Sequence, residues 1–227
     1  MMTLAKTYHI ASMTTPSSVT HCFDDPAWVT LPTGSLDYVV PRSSDHHPHV
    51  QYRLAYDAGG LSVRFRVEDC FVRSVVTEVN EQVCTDSCVE LFLQPTPAGY
   101  FNMEVNAGGT MLMYYIEDAT SIPGKGLAKF TPVSPTDIAT IPIVSSLPRV
   151  IDPEISSPVR WEVGWYVPFS LLARYAGPFA TTPGTVWRGN LYKCGDRTSH
   201  PHWLCWAPIT GTTFHDPASF GSLILID

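Results

Sequence analysis

The chain has 227 residues, enough to bury a sizeable core without covalent staples, and its 44% apolar content excludes wholesale disorder. A formal charge of −7, from 14 Lys+Arg against 21 Asp+Glu, argues against a nucleic-acid surface. No apolar run approaches the roughly 20 residues of a membrane-spanning helix, so neither nucleic acid nor a membrane is an expected partner.

In chain order, Met1 to Thr15 lacks the cationic head and continuous apolar stretch of a secretory signal. The chain as given is therefore expected in the cytoplasm, or outside it if a leader has been trimmed. His46-His47-Pro48-His49 invites a metal reading but reads as a Pro-bracketed loop, with no Cys or acidic residue at ligand spacing beyond Asp45. Val50 to Tyr56 and Leu61 to Asp69 alternate on either side of Asp57-Ala58-Gly59-Gly60, which predicts a hairpin. Ser87 to Leu93 is a further strand, stopped by Gln94-Pro95-Thr96-Pro97. Tyr100 to Asn106 and Thr110 to Ile116 bracket Gly108-Gly109, again a hairpin.

Thr131 to Pro158, rich in Pro, Ser and Thr, reads as an edge strand or long loop. Trp161, Val163, Trp165 and Val167 share one apolar face of a strand, so both tryptophans belong in the core, as do Trp28 and Trp187. Only Pro168 to Tyr175 looks helical, with Pro at its start and Gly177-Pro178 as a stop. Val186 to Cys194, His202 to Trp206 and Ser222 to Ile226 complete the strands. Short strands at roughly ten-residue spacing predict an all-β fold: a single-domain antiparallel β-sandwich, jelly-roll-like, with one short helix. The six cysteines fit no compact disulfide framework or zinc knuckle and read as reduced, buried thiols.

Asn102, Glu104 and Asn106 fall on one strand face, opposite Phe101, Met103 and Val105. By pattern alone this row is either a solvated outer face or a polar floor, with Glu90 on a neighbouring strand. Asn190 and Tyr192 share one face of their strand, Leu191 and Lys193 the other. Trp203 and Trp206 are three apart and point to opposite faces, so at most one is a binding platform. His200, His202 and His215 could converge near Trp203, although His202 also reads as a satisfied structural histidine.

Three segments resemble the family 9 carbohydrate-binding modules, in particular the stand-alone proteins of gut bacteria. They are Thr85-Asp86-Ser87-Cys88-Val89-Glu90-Leu91-Phe92-Leu93, then Tyr100 to Thr110, then Trp187 to Asp196 followed by His200 to Ile209 and Phe214 to Gly221. The resemblance implies a non-catalytic β-sandwich that binds a mono- or oligosaccharide, with aromatic rings clamping a terminal sugar. On this chain the aromatic platform is expected at Trp203 or Trp206. Glu90, Asn102, Glu104, Asn106, Asn190, Lys193 and His202 are the expected polar partners. The family's structural calcium would draw on Asp57, Asp69 and Asp86, and a glycan-degrading enzyme is an expected partner. One departure stands out: the relatives place a clamping Trp just before the Asp-Ser strand, where this chain has Val83-Cys84. Phe71, Tyr114 or Tyr115 could then supply the second ring.

Two other classes stay open. Glu90 and Glu104 could be the paired carboxylates of a glycoside hydrolase. The sandwich also resembles haem-carrying redox domains, whose iron would take Met103, Met111 or Met113 with Lys193 or His202.

Overall fold

The computed structural model describes residues 6–13, 22–211 and 213–227. Residues 1–5 and 14–15 of the stretch tested for a leader lie outside these.

The chain forms β1 (Thr7–Ser12), β2 (Gly34–Ser35), β3 (Tyr38–Val39), β4 (His49–Tyr56), β5 (Gly60–Asp69), β6 (Val72–Ser74), β7 (Cys88–Thr96) and β8 (Gly99–Asn106). There follow β9 (Met111–Ile122), β10 (Gly126–Pro132), α1 (Pro135–Ile138), β11 (Ile143–Ser145), β12 (Ile151–Ile155) and β13 (Val159–Pro168). The last elements are α2 (Phe169–Ala176), β14 (Val186–Cys194), β15 (Trp203–Cys205) and β16 (Gly221–Ile226).

The main ladder runs β10-β9-β8-β7-β14-β16-β1-β4-β5-β13-β11. It folds over on itself to make a sandwich. Leu91, Leu93, Met103, Val105 and Leu191 from one half share a single buried cluster with Val63, Phe65, Trp161, Val163 and Trp165 from the other. The turn is made at β1, which pairs in parallel with both β16 and β4. The other ladders among the described residues are antiparallel.

Both expected hairpins form. Asp57 closes the first by accepting from the N–H groups of Gly59 and Gly60 and from the Tyr166 hydroxyl. Gly108 sits in the second where an added Cβ would lie 2.1 Å from the Arg149 carbonyl oxygen, so the turn tolerates no side chain. The helix expected at Pro168 to Tyr175 is α2, ended by Gly177 at φ 73°. The Pro-rich stretch adds the four-residue helix α1, capped by Ser134, and the edge strand β11 on β13. Strand β7 runs on through Pro95, because the register with β8 shifts between Leu93 and Thr96 and spares the missing N–H.

Trp28, Trp161, Trp165 and Trp187 are buried, as expected. So are Met103, Met111 and Met113, which pack among the apolar side chains between the two halves as core fillers.

Candidate functional site

Strands β8, β7 and β14 lie side by side, and their registers set a polar row on the face turned away from the main core. Glu104 is directly opposite Glu90, and Glu90 is directly opposite Tyr192. Asn102 shares the row through alternation along β8. The face is not solvated: Glu90, Asn102 and Glu104 are all buried. Loops cover it and leave a groove of about 290 Å³ lined by Glu90, Glu104, Phe92, Cys194, Trp203 and Phe214, with Arg42, Cys84, Asp196, Thr213 and His215 completing the wall. A second hollow of about 330 Å³ continues it past Asn102, Tyr114 and Phe130, sharing Cys84, Glu104 and His215.

The aromatic wall is braced by its neighbours, Arg42 and Asp196 within the groove lining among them. Trp203, half-buried, donates its indole N–H to Asp196 at 2.7 Å, and the Arg42 guanidinium lies 4.3 Å over its ring. Phe214 stacks on Tyr192 at 4.0 Å between ring centres, and the Tyr192 hydroxyl donates to the Phe214 carbonyl. The Tyr100 hydroxyl and Nδ1 of His215 are 2.8 Å apart, and burial pulls the His215 pKa down to about 4, so its ring is neutral at pH 7.

Charge on the floor is suppressed. Burial and the neighbouring Glu104 push the Glu90 carboxyl well above the usual carboxylate range, and burial raises Glu104 to about 7. Asn102 donates to Oε1 of Glu104 at 2.8 Å while its own oxygen takes the Tyr114 N–H. Oε2 of Glu104 is buried with no hydrogen-bond partner among the described residues, a polar atom that costs stability until a ligand hydroxyl or a water reaches it.

The structure brings Trp203, Glu90, Asn102 and Glu104 together and places the other expected site residues elsewhere. Trp206 points to the opposite face, as the spacing requires; it is 4% exposed and packs in the main core against Tyr52. Asn106 donates to Asp86 and the Val76 carbonyl and accepts the Thr110 N–H, holding the β8–β9 turn. Asn190 is consumed by the backbone of Ala207. Lys193 and His202 face the interior between the two halves, with Nζ of Lys193 2.6 Å from Nε2 of His202 and 3.4 Å from Asp69. Burial and the Lys193 charge depress His202 to about 3. His200 stacks on Phe71 and Tyr115 lies in the core, so of the three alternative rings only Tyr114 borders the groove.

The loop at His46 is tied down: His46 is 2.7 Å from Asp69, far away in sequence. His46, Asp69 and His202 converge as metal-type ligands, but the Lys193 ammonium already stands against two of them.

The calcium candidates do not meet. Asp57 is committed to its hairpin, and Asp69 to Lys193, His46 and Trp161. Asp86 serves the N–H groups of Val75 and Val76 beside Arg73. Calcium wants six to eight converging oxygens, and a neighbouring cation opposes it, so these residues do not fit the ion.

The sequence profile described as carbohydrate-binding family 9 matches residues 28–225. The chain belongs to that family. Among solved structures, the module is similar to a Bacteroides uniformis protein put forward as carbohydrate-binding, at 26% identity and a TM-score of 0.81, covering 97% of this chain and 99% of that one. It is also similar to a family 9 module from Caldicellulosiruptor kristjanssonii solved with glucose (15% identity, TM-score 0.60, 97% and 95% covered). The same bacterium's family 9 module solved with cellotriose matches at 15% identity and a TM-score of 0.59, with 97% and 94% covered. These last two share the fold. No curated protein matches the module.

Within the module, the departure from the family pattern has a definite place. Val83 is buried, and Cys84 lines the groove where a clamping Trp is expected. Phe214 stands in the same wall as Trp203; its position in the matching C-terminal segment was the only sequence signal for it. Arg42, which covers the Trp203 ring, had none.

Proposed function

We propose that the groove binds the end of a mono- or oligosaccharide without transforming it. Trp203 and Phe214 give flat apolar surface for the C–H faces of a sugar ring. Glu90, Glu104 and Asn102 give planar acceptors and donors for its hydroxyls. The observation that carries the reading is the buried, unpartnered Oε2 of Glu104 on the floor of an aromatic-walled groove. A non-catalytic module of this kind would hold a separate glycan-degrading enzyme close to its polymer.

Calorimetric titration of the whole chain with glucose and cellotriose, then a wider glycan array, tests the proposal. Saturable binding with no product formed is expected, and Trp203→Ala should weaken it about tenfold or more, the scale of a lost ring contact. Binding that survives Trp203→Ala unchanged would move the site elsewhere, and sugar turnover would end the non-catalytic reading.

A further inference from the structure

Of the chain's six cysteines, Cys84, Cys88 and Cys194 gather at one end of the groove, a concentration that sugar recognition does not call for. Thiols are weak hydrogen-bond partners for hydroxyls. We propose that Cys88, Glu90 and Cys194 form a site for a thiophilic divalent cation of the zinc class at the floor of the groove. One ligand atom from each lies within 4.8 Å of the others. Sγ of Cys194 is 3.0 Å from Oε1 of Glu90. A tetrahedral ion with bonds of about 2.0–2.3 Å holds its ligand atoms roughly 3.3–3.8 Å apart, so closing the site takes side-chain adjustment and no change of register.

The scaffold is rigid. Cys88 and Glu90 are two apart on β7 and project from one face, and Cys194 on β14 is the direct register partner of Cys88. All three are buried, Val83 and Leu112 pack against the cysteines, and Glu90 and Cys194 open onto the groove, which gives an ion its way in. Three protein ligands leave the fourth position of a tetrahedral ion for water or a ligand in the groove. Glu104 and Asp196 line the same groove and can give up a proton beside an ion, and Lys193, although adjacent in sequence, points to the other face of β14. On binding, the Cys88 and Cys194 thiols and the Glu90 carboxyl each release a proton to solvent, so that two thiolates and a carboxylate face the ion. Burial holds all three in the protonated form without the ion, which makes its uptake steeper with rising pH.

The site shares the groove with the proposed sugar site but does not rest on that reading, and its test contains no sugar. Purified full-length chain, reduced and stripped with chelator, is titrated with Cd2+ alone. An ultraviolet thiolate-to-cadmium band should saturate at a single ion per chain. Cys88→Ser and Cys194→Ser should each weaken binding about 100-fold or more, since even outer-shell changes cost about 10–100-fold. Cys205→Ser, in the separate cluster with Val40 and Tyr192, should leave it intact. Absence of the band, or a band that persists at full affinity in both Cys88→Ser and Cys194→Ser, overturns the proposal. Should those variants fail to fold by circular dichroism, cadmium NMR on the unmodified chain decides. A resonance in the two-sulfur range supports the site, and an all-oxygen shift or no bound resonance overturns it. A chain that binds cadmium but no sugar would sink only the carbohydrate reading.

Discussion

Trp203 and Trp206 are the same residue type three positions apart, yet one borders the groove and the other fills the core. The difference is testable without knowing the ligand. Trp206→Ala removes a ring that packs on Tyr52 and leaves no room for a Cβ at Gly221, so it should cost about 3–5 kcal/mol of stability in denaturant melts. Trp203→Ala, half-buried at a rim, should cost much less stability and act on binding. Equal losses of stability from the two would erase the distinction between wall and core.

His202 carries a pH prediction. Its folded pKa of about 3 lies below the ordinary 6.5, because burial and the Lys193 ammonium both oppose a second positive charge; Asp69 favours protonation, and the nearby His46 opposes it more weakly. The unfolded chain therefore takes up a proton that the folded chain refuses. The stability in question is complete above about pH 6.5 and is lost as pH falls toward 3, at up to about 1.4 kcal/mol per unit. Asp69, held below its ordinary value despite burial by Lys193 and His46, adds a further loss at the acid end. His202→Gln keeps an acceptor for Lys193 but cannot titrate. The stability advantage of the unmodified chain over His202→Gln should shrink across that interval; an advantage constant with pH would show that His202 does not control the acid limb.

At the scale of elements, the site is a matter of register. Glu90 meets Glu104, and Cys88 meets Cys194, only because β7 pairs β8 and β14 as it does. Asp86, just ahead of β7, fixes that start. It accepts from the N–H groups of Val75 and Val76 at 2.9 and 2.8 Å and from the Asn106 amide at 3.0 Å, tying three segments together. The Asp of the family's Asp-Ser strand thus has a structural reason to be there in this chain. Asp86→Ala would leave those donors buried and unpaired and should destabilise by roughly 2–4 kcal/mol. A melt indistinguishable from the unmodified protein would show that the register is held without it.

At the scale of the molecule, β1 joins the two halves of the sandwich by pairing with the last strand on one side and β4 on the other. Ile10, fully buried on this strand, packs in the shared core. One core spanning both halves implies one cooperative unfolding transition, with calorimetric and van't Hoff enthalpies equal. Ile10→Ala should move that transition down by about 2–4 kcal/mol without splitting it. Two separated transitions would divide the chain into two units.

Alternation alone determined much here: the hairpins at Asp57 and Gly108-Gly109, the buried faces of Trp161 and Trp165, and the split between Trp203 and Trp206 are all consequences of a side-chain period of two, a local property of a strand. It also placed Asn102, Glu104 and Asn106 on one face. What period cannot encode is which strand lies alongside and what covers it. Whether that polar face met water or a groove depended on loops from residues 42, 84, 196 and 214, brought together by the tertiary fold. The same holds for Lys193 and His202, polar residues that the sheet turned inward toward Asp69, and for Cys88, Glu90 and Cys194. Alternation puts Cys88 and Glu90 on one face of β7, but only the register of β14 on β7 brings Cys194, far along the chain, within a few ångströms of them.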